Sequence, residues 1–218
     1  MALIDLWKRW RPGPAAVDDS RWVVLDVETS GLDARRDRLL AVAALALRVT
    51  DGLATIDLGD SFEVVIRQPD LGQAPDRSNI LLHGIGVGAQ RAGVPRAQGL
   101  QALAAWVGTS PLVAFHAAFD RTMLDRACAA EGLAPLPDAW LDLEPLAAVL
   151  RPTVKARSLD EWMQALDIRC AVRHQAAADT LATAELLLKL WPLLRAELPQ
   201  PTFRATAALA DARRWLPG

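Results

Sequence analysis

Short apolar runs alternate with helical stripes along most of this chain. Five runs rich in β-branched and other apolar residues predict buried strands over residues 22–28, 39–49, 62–66, 111–115 and 139–143. Apolar residues at helical spacing predict helices over residues 97–107, 119–131, 144–150, 158–166 and 176–198. Asp51-Gly52 is a hairpin signal between the second and third strands, whereas the Pro- and Gly-rich residues 67–96 predict a long loop. Three strands followed by alternating helices and strands indicate a mixed α/β sheet covered by helices.

The length of 218 residues predicts one large domain with short extensions. We expect an N-terminal extension at residues 1–20, the domain at 21–198 and a C-terminal extension at 199–218. Apolar and basic residues in the first ten positions could form a short amphipathic helix, ended by Arg11-Pro-Gly-Pro14. Such a helix would serve as a docking or membrane-surface element, or would simply pack on the domain, and packing is the favoured interpretation.

Composition excludes several classes of protein. Hydrophobic residues make up 52% of the chain and charged residues 23%, which favours a folded core over disorder. Two cysteines are too few for a disulfide framework or a thiolate zinc site. No apolar run reaches the roughly 18 residues of a membrane span and no secretory signal is evident, so we expect a cytoplasmic protein without a membrane span.

Charge gives a weaker indication of the partner. The formal net charge is −2, which does not indicate a protein that coats nucleic acid nonspecifically. The basic residues are nevertheless lopsided, with 21 Arg against three Lys. Arginine suits phosphate and carboxylate partners, but the abundance of Ala and Leu favours genome composition as the cause of this excess.

Four acidic residues stand where a core is predicted. Asp26 and Glu28 lie two apart on the first strand, so their side chains point to the same face. Asp120 falls in the first turn of a helix, and Asp179 shares an otherwise largely apolar face of the last helix. A solvated strand end and a favourable helix-dipole partner are the ordinary explanations for the first three residues. Buried carboxylates are otherwise costly unless they are paired or bind metal.

The four acidic residues also suit one kind of chemistry. Together with His174, which we place in the loop before the last helix, they come from three separate segments. Hard oxygen ligands favour Mg²⁺ or Mn²⁺, and two such ions can activate water and stabilise the leaving oxygen of a phosphodiester. A histidine can accept the proton of the attacking water.

Three motifs resemble those of the DEDDh 3′–5′ exonucleases, the superfamily of the proofreading (epsilon) subunit of bacterial DNA polymerase III. They are Asp26-Val-Glu-Thr-Ser-Gly-Leu32, Leu112-Val-Ala-Phe-His-Ala-Ala-Phe-Asp120 and His174-Gln-Ala-Ala-Ala-Asp179. The segment Ile80-Leu-Leu-His-Gly-Ile85 is similar to a His-Gly-Ile element that lies near the substrate in this family. The ordered set, spread over residues 21–195, is much more specific than any one motif.

The resemblance implies an RNase H-like fold, a five-stranded mixed sheet flanked by helices. It implies hydrolysis from the 3′ end of single-stranded nucleic acid, DNA being favoured, to release nucleoside monophosphates. It also implies two Mg²⁺ or Mn²⁺ ions. The metal ligands carried over are Asp26, Glu28, Asp120 and Asp179, with His174 as the general base.

The resemblance also implies substrate contacts. Thr29 and Leu32 would contact the terminal nucleotide, and His83 and Phe119 would line the groove, although Phe119 could equally be core. His116 replaces a residue that is often an amide in this family, so we expect a structural or substrate-side role for it. The second strand lacks an acidic residue that is often found there in this family. Its sequence at this point is Leu39-Leu-Ala-Val-Ala-Ala.

Alternatives remain open within and outside the enzyme class. The same motifs serve exoribonucleases, and a nonenzymatic module that binds nucleic acid or a polymerase would retain the fold. A polymerase or another protein is a possible partner. The oligomeric state is open. A zinc site and a dinucleotide loop are disfavoured, because the His and Cys residues are scattered and Gly84-Ile-Gly-Val-Gly88 lacks a strand–turn–helix context.

Overall fold

A computed structural model describes residues 17–68, 80–81 and 83–212 of the chain. Its centre is a five-stranded sheet in the order β3-β2-β1-β4-β5. The strands are β1 (Arg21–Thr29), β2 (Leu39–Thr50), β3 (Leu53–Val65), β4 (Leu112–Ala114) and β5 (Trp140–Asp142). The first three strands pair antiparallel, whereas β4 runs parallel to both β1 and β5. The predicted mixed sheet is therefore confirmed.

Seven helices lie within the described segments and flank this sheet. They are α1 (Val87–Ala92), α2 (Arg96–Val107), α3 (Ala118–Ala130), α4 (Leu143–Leu150), α5 (Leu159–Ala165), α6 (Ala176–Glu197) and α7 (Phe203–Asp211). The predicted capping box of α5 is present, since Ser158 Oγ accepts from the Glu161 N–H and the Glu161 carboxylate accepts from the Ser158 N–H.

Two predictions of local structure were wrong. Strand β3 begins at Leu53 rather than at Phe62, directly after the predicted Asp51-Gly52 turn, in which both residues have positive φ. Strand β3 is an edge strand whose first half has several exposed residues, so this half lacks the apolar run that marks a buried strand. The stretch predicted as a loop also contains α1, a helix of six residues.

The central strand β1 divides the core into two layers. Trp22 and Val24 pack on one face with α6, while Val23 and Leu25 pack on the other face with α2 and α3. Helix α7, inside the segment predicted as a C-terminal extension, buries Phe203 in the first layer, with its ring centroid 5.1 Å from that of Trp22. The predicted N-terminal helix within residues 1–10 lies outside the described residues.

The topology brings the carboxyl ends of three strands to one edge of the sheet. Strands β1, β4 and β5 are parallel to one another, so their carboxyl ends meet at this edge, where ligands commonly bind in α/β folds. Among the helices of the described segments, none is both long enough and apolar enough to cross a membrane.

Candidate active site

Asp26 and Glu28 lie near the carboxyl end of β1 and are partly buried. They alternate with Leu25 and Val27, which pack in the second core layer, so the two carboxyl groups face the side covered by α6. Their register partners on β2 are Ala43 and Ala41, whose small side chains leave space above the sheet. The same-face arrangement predicted for the pair is what the strand register produces.

Helix α6 brings Asp179 to the same face. The Thr180 hydroxyl donates a hydrogen bond of 3.2 Å to the Ala43 carbonyl, and Ala43 is the register partner of Asp26. Asp179 is only 7% exposed, and the apolar residues predicted to share its face are buried. The start of α6 is therefore fixed over the end of β1.

Asp120 reaches the site from the opposite layer. It lies in the first turn of α3, directly after the parallel strand β4, and is 4% exposed. Its carboxyl group hydrogen-bonds with the backbone of Val27, which lies between Asp26 and Glu28. Three segments thus converge on one end of β1.

The electrostatics show how strongly these acids are concentrated. Burial, followed by repulsion from Asp120, Glu28 and Asp179, raises the pKa of Asp26 well above its ordinary value. Burial and then Asp179 raise the pKa of Glu28 to about 8. Burial likewise raises the pKa of Asp120 to about 8, against the opposing effect of its backbone hydrogen bonds. Such a site has an excess of buried negative charge that a cation would relieve.

One cation of the chain already lies at this site. Arg173 donates hydrogen bonds to both Asp179 and Asp160 and is the partner that sequence analysis missed. Cys170 Sγ also lies 3.7 Å from Asp179 Oδ1. Within the described segments, no three Asp, Glu, His or Cys side chains lie close enough together to hold a metal ion. The sequence feature that could have identified Arg173 is its position directly before the His174 motif.

Two histidines beside the site have left-handed backbones. His174 has φ 60° and its N–H donates to Asp179 Oδ2 at 3.1 Å, whereas His116 has φ 59° and its N–H donates to Asp142 Oδ1 at 3.0 Å. Non-glycine residues with positive φ are uncommon, and strained backbone concentrates at functional sites. His174 lies in the loop before α6, as expected, and its imidazole is partly exposed.

Asp142 is a fifth acid that the sequence did not single out. It ends β5 and caps α4, because its Oδ1 accepts hydrogen bonds from the backbone of both His116 and Glu144. Burial raises its pKa, and its charge adds to the repulsion felt by Asp120. Asp142 therefore fixes the turn that leads into the helix of Asp120.

The predicted substrate residues occupy different surroundings. Leu32 is 93% exposed on the turn after β1, and Thr29 Oγ1 donates to the Gly31 carbonyl at the base of that turn. His116 is exposed, with its ring against Phe115, and Phe119 packs partly against the second core layer. These placements leave their roles as predictions.

His83 is the most buried of the predicted substrate residues, at 3% exposure. Its Nδ1 accepts a hydrogen bond of 2.9 Å from the Ile85 N–H, while Nε2 has no partner among the described residues. Burial lowers its pKa, so the neutral ring is favoured. Its contact with substrate also stays a prediction.

Comparison with known proteins identifies the family. The model of the RNase T exonuclease family matches residues 23–187, which include all three motifs. The chain belongs to this exonuclease family. The predicted resemblance and the enzyme class, a 3′–5′ exonuclease, are thereby confirmed.

A curated relative of the exonuclease is the PolC-type DNA polymerase III of Listeria monocytogenes. The two are 31% identical over 175 residues, which cover 80% of this chain but only 12% of the polymerase. The exonuclease thus spans about an eighth of that relative.

Solved structures support the fold. Escherichia coli exonuclease I in complex with a dT13 oligonucleotide aligns with a TM-score of 0.68 at 20% identity, covering 82% of this chain and 42% of the other. A zinc-bound form of the same enzyme with single-stranded DNA aligns with a TM-score of 0.67 at 19% identity, covering 88% and 42%. The predicted RNase H-like exonuclease fold is confirmed.

Proposed function

We propose that this exonuclease hydrolyses single-stranded DNA from its 3′ end, releasing nucleoside monophosphates in a reaction that requires divalent cations. The observation that carries the proposal is the convergence of Asp26, Glu28, Asp120 and Asp179 at one end of β1, where burial and mutual repulsion raise the pKa values of the first three. Such a concentration of carboxyl groups is costly unless a cation compensates it.

The chemistry of the donor set suits two Mg²⁺ or Mn²⁺ ions, and among the described residues the side chains would have to move closer together to hold them. The set consists entirely of carboxylate oxygens, which these hard cations prefer, and substrate phosphate oxygens complete such sites. Binding requires Asp179 to exchange Arg173 for the cation, because that arginine now pairs with its carboxylate. When bound, divalent cations activate water and neutralise charge on the leaving oxygen.

The remaining chemistry belongs to the chain's own residues. His174 accepts a proton from the attacking water on a ring nitrogen, a role suited to a partly exposed imidazole on a fixed loop. Water attacks phosphorus, the bond to the 3′ oxygen of the penultimate nucleotide breaks, and the terminal nucleotide leaves with the phosphate. Asp142 acts indirectly by holding the turn before Asp120.

Substrate is held on the turn that follows β1. The exposed Leu32 side chain supports the terminal base, and Thr29 shapes the turn through its bond to Gly31. His83, His116 and Phe119 line the groove. DNA is favoured over RNA because the polymerase relative acts on DNA and the similar exonuclease I structures contain DNA. A polymerase remains a candidate protein partner on the same ground.

The test is degradation of 5′-labelled single-stranded DNA and of RNA of matched sequence, with Mn²⁺ and with Mg²⁺. We expect a ladder that shortens from the 3′ end, faster on DNA, and lost with EDTA or in the Asp26→Asn variant. Faster loss of RNA would replace the DNA assignment. Degradation that resists EDTA would contradict the metal requirement, and no degradation of either strand by the wild type would contradict the proposal.

A further inference from the structure

A second charged recess lies at the end of the loop of residues 30–38, which carries Leu32. It has a volume of about 260 Å³, and it is formed by the end of the loop between β1 and β2, the start of α2 and the middle of α3. Four arginines line it: Arg36, Arg38, Arg96 and Arg126. The chain as a whole has a formal net charge of −2, so this recess departs locally from the overall charge.

The carboxylate of Asp37, which also lines the recess, is used by its own loop. Its Oδ1 accepts from Ser30 Oγ at 2.9 Å and its Oδ2 from the Asp33 N–H at 2.8 Å. Arg126 donates instead to the backbone carbonyl of Asp37. The carboxylate therefore closes the loop, and the carbonyl of the same residue holds Arg126 at the recess.

Two of the arginines form ion pairs at the surface that are easily exchanged. Arg96 pairs with Glu131 at 2.6 Å and Arg36 with Asp33 at 3.8 Å, with the Arg36 side chain 89% exposed. Exposed pairs of this kind contribute little stability, so a phosphate can replace the carboxylate at low cost. The planar guanidinium group binds phosphate oxygens bidentately, which makes arginine the side chain best suited to that exchange.

The recess is connected to the candidate active site by two elements. The loop of residues 30–38 begins directly after Thr29 on β1 and carries Leu32. Helix α3 carries Asp120 and, six residues later, Arg126, which is about 9 Å along the helix axis. A nucleic-acid strand with its 3′ end at the carboxylates can therefore place a nearby phosphate in the recess.

We propose that this arginine recess binds a backbone phosphate of a nucleic-acid strand whose 3′ end occupies the active site. The inference rests on the proposed function and extends it from the reacting nucleotide to the path of the strand. The phosphate belongs either to the substrate strand itself or to a strand paired with it. Binding measured with single strands and with duplexes distinguishes the two sources.

The test is the salt dependence of binding by the full chain in EDTA, where no hydrolysis is expected. The probe is a fluorescent single-stranded oligothymidylate, and the variant is Arg36→Gln/Arg96→Gln, both positions being exposed. We expect roughly tenfold weaker binding at low salt and a salt slope shallower by about 0.7 for each phosphate that the variant no longer neutralises. The control, Arg204→Gln, changes an exposed arginine on α7 and should match the wild type.

Variants of Arg126 test whether weaker binding comes from the lost charge or from a changed loop structure. Arg126→Lys retains the charge but not the fork, and we expect it to weaken binding less than Arg126→Gln does. Melting curves of all variants identify any loss of folding. Salt slopes equal to that of the wild type in both Arg36→Gln/Arg96→Gln and Arg126→Gln, with the single strand and also with a duplex that has a recessed 3′ end, would overturn the recess.

Two further arms identify the source of the phosphate. If the substrate strand fills the recess, the defect in the double variant appears with long single strands and disappears with a dinucleotide. If a paired strand fills it, the defect appears only with a duplex that has a recessed 3′ end. A wild-type protein that neither binds nor degrades any strand would overturn the proposed function, whereas unaltered variants of an active wild type overturn the recess alone.

Discussion

The two ends of strand β1 both carry charged residues, but the chain compensates them fully only at the amino end. There, Arg21 pairs with Asp60 through two hydrogen bonds of 2.7 and 2.9 Å and donates a third, of 2.8 Å, to Ser110. Its guanidinium group also lies over the Trp106 ring, 4.4 Å from the centroid. Hydrogen bonding from Arg21 lowers the pKa of Asp60. These charges hold the strand to its neighbours.

The carboxyl end of the same strand has the opposite balance. Asp26 and Glu28 face two further acids, and Arg173 is the arginine that offsets them. Burial raises the pKa values of these acids, whereas pairing lowers that of Asp60. The difference teaches that a charged residue in a sheet stabilises the fold where its partner is built in, and indicates a binding site where the partner must come from outside.

The largest effect should follow from changing the uncompensated end. In Asp26→Asn we expect kcat/KM to fall at least about a thousandfold, since several kcal/mol of metal-dependent stabilisation would be lost. The metal-free variant should melt at the same temperature as the wild type or higher, because one repelling carboxylate is gone. Nuclease kinetics and thermal unfolding measure the two quantities. Full activity in this variant would contradict the assignment of Asp26 as a ligand.

A smaller loss should follow from removing the base. His174→Asn suits the left-handed backbone at this position, because Asn tolerates positive φ, so the loop should be retained. We expect the rate to fall by about 10²–10⁴, as for a lost general base. A rate equal to that of the wild type would assign the proton transfer to another group.

Changing the compensated end should lower the free energy of unfolding and leave nuclease activity unchanged. Asp60→Asn removes the carboxylate that holds Arg21 and Arg48, and we expect it to destabilise the fold by about 2 kcal/mol while leaving nuclease kinetics unchanged. Urea unfolding and the nuclease assay together test this. A variant of normal stability, or a folded variant with low nuclease activity, would contradict the contrast between the two ends.

Much of the site could be predicted from sequence because its residues occupy regular elements. Strand periodicity places Asp26 and Glu28 on one face, and helix spacing places Asp179 on a buried face. The edge strand β3 was predicted too short, because exposure removes the apolar run by which strands are recognised. Its hairpin turn, by contrast, was correctly identified from two residues.

What the sequence did not reveal depends on contacts between distant segments. The pairing of Arg173 with Asp160 and Asp179 joins a loop to two helices, and Asp142 reaches the His116 backbone 26 residues away. Left-handed backbone at His116 and His174 is imposed by the turns around them, since neither residue type demands it. The sequence attributes the arginine excess to genome composition, and only the structure shows that four of these arginines line one recess.

The smallest effect concerns pH. Glu28 and Asp120 have pKa values of about 8 in the fold, against 4.5 and 3.8 as ordinary values, so between about pH 4 and pH 8 the folded state binds more protons than the unfolded state. Stability of the metal-free protein should therefore fall as pH rises through this window. We expect a measurable loss between about pH 5.5 and pH 8, in which the contribution of Glu28 is reduced because solvent reaches that side chain.

Urea unfolding in EDTA measures this loss, and Glu28→Gln should flatten the pH dependence because it removes one titrating carboxyl group. Asp60 acts in the opposite sense, since its lowered pKa gives stability that is lost only as the pH falls through that value. Mg²⁺ or Mn²⁺ should stabilise the protein more at about pH 8 than at about pH 5.5, because carboxyl groups must lose their protons to bind metal. Metal-free stability that rises from about pH 5.5 to pH 8 would mean that the acids at the carboxyl end of β1 are already compensated within the chain.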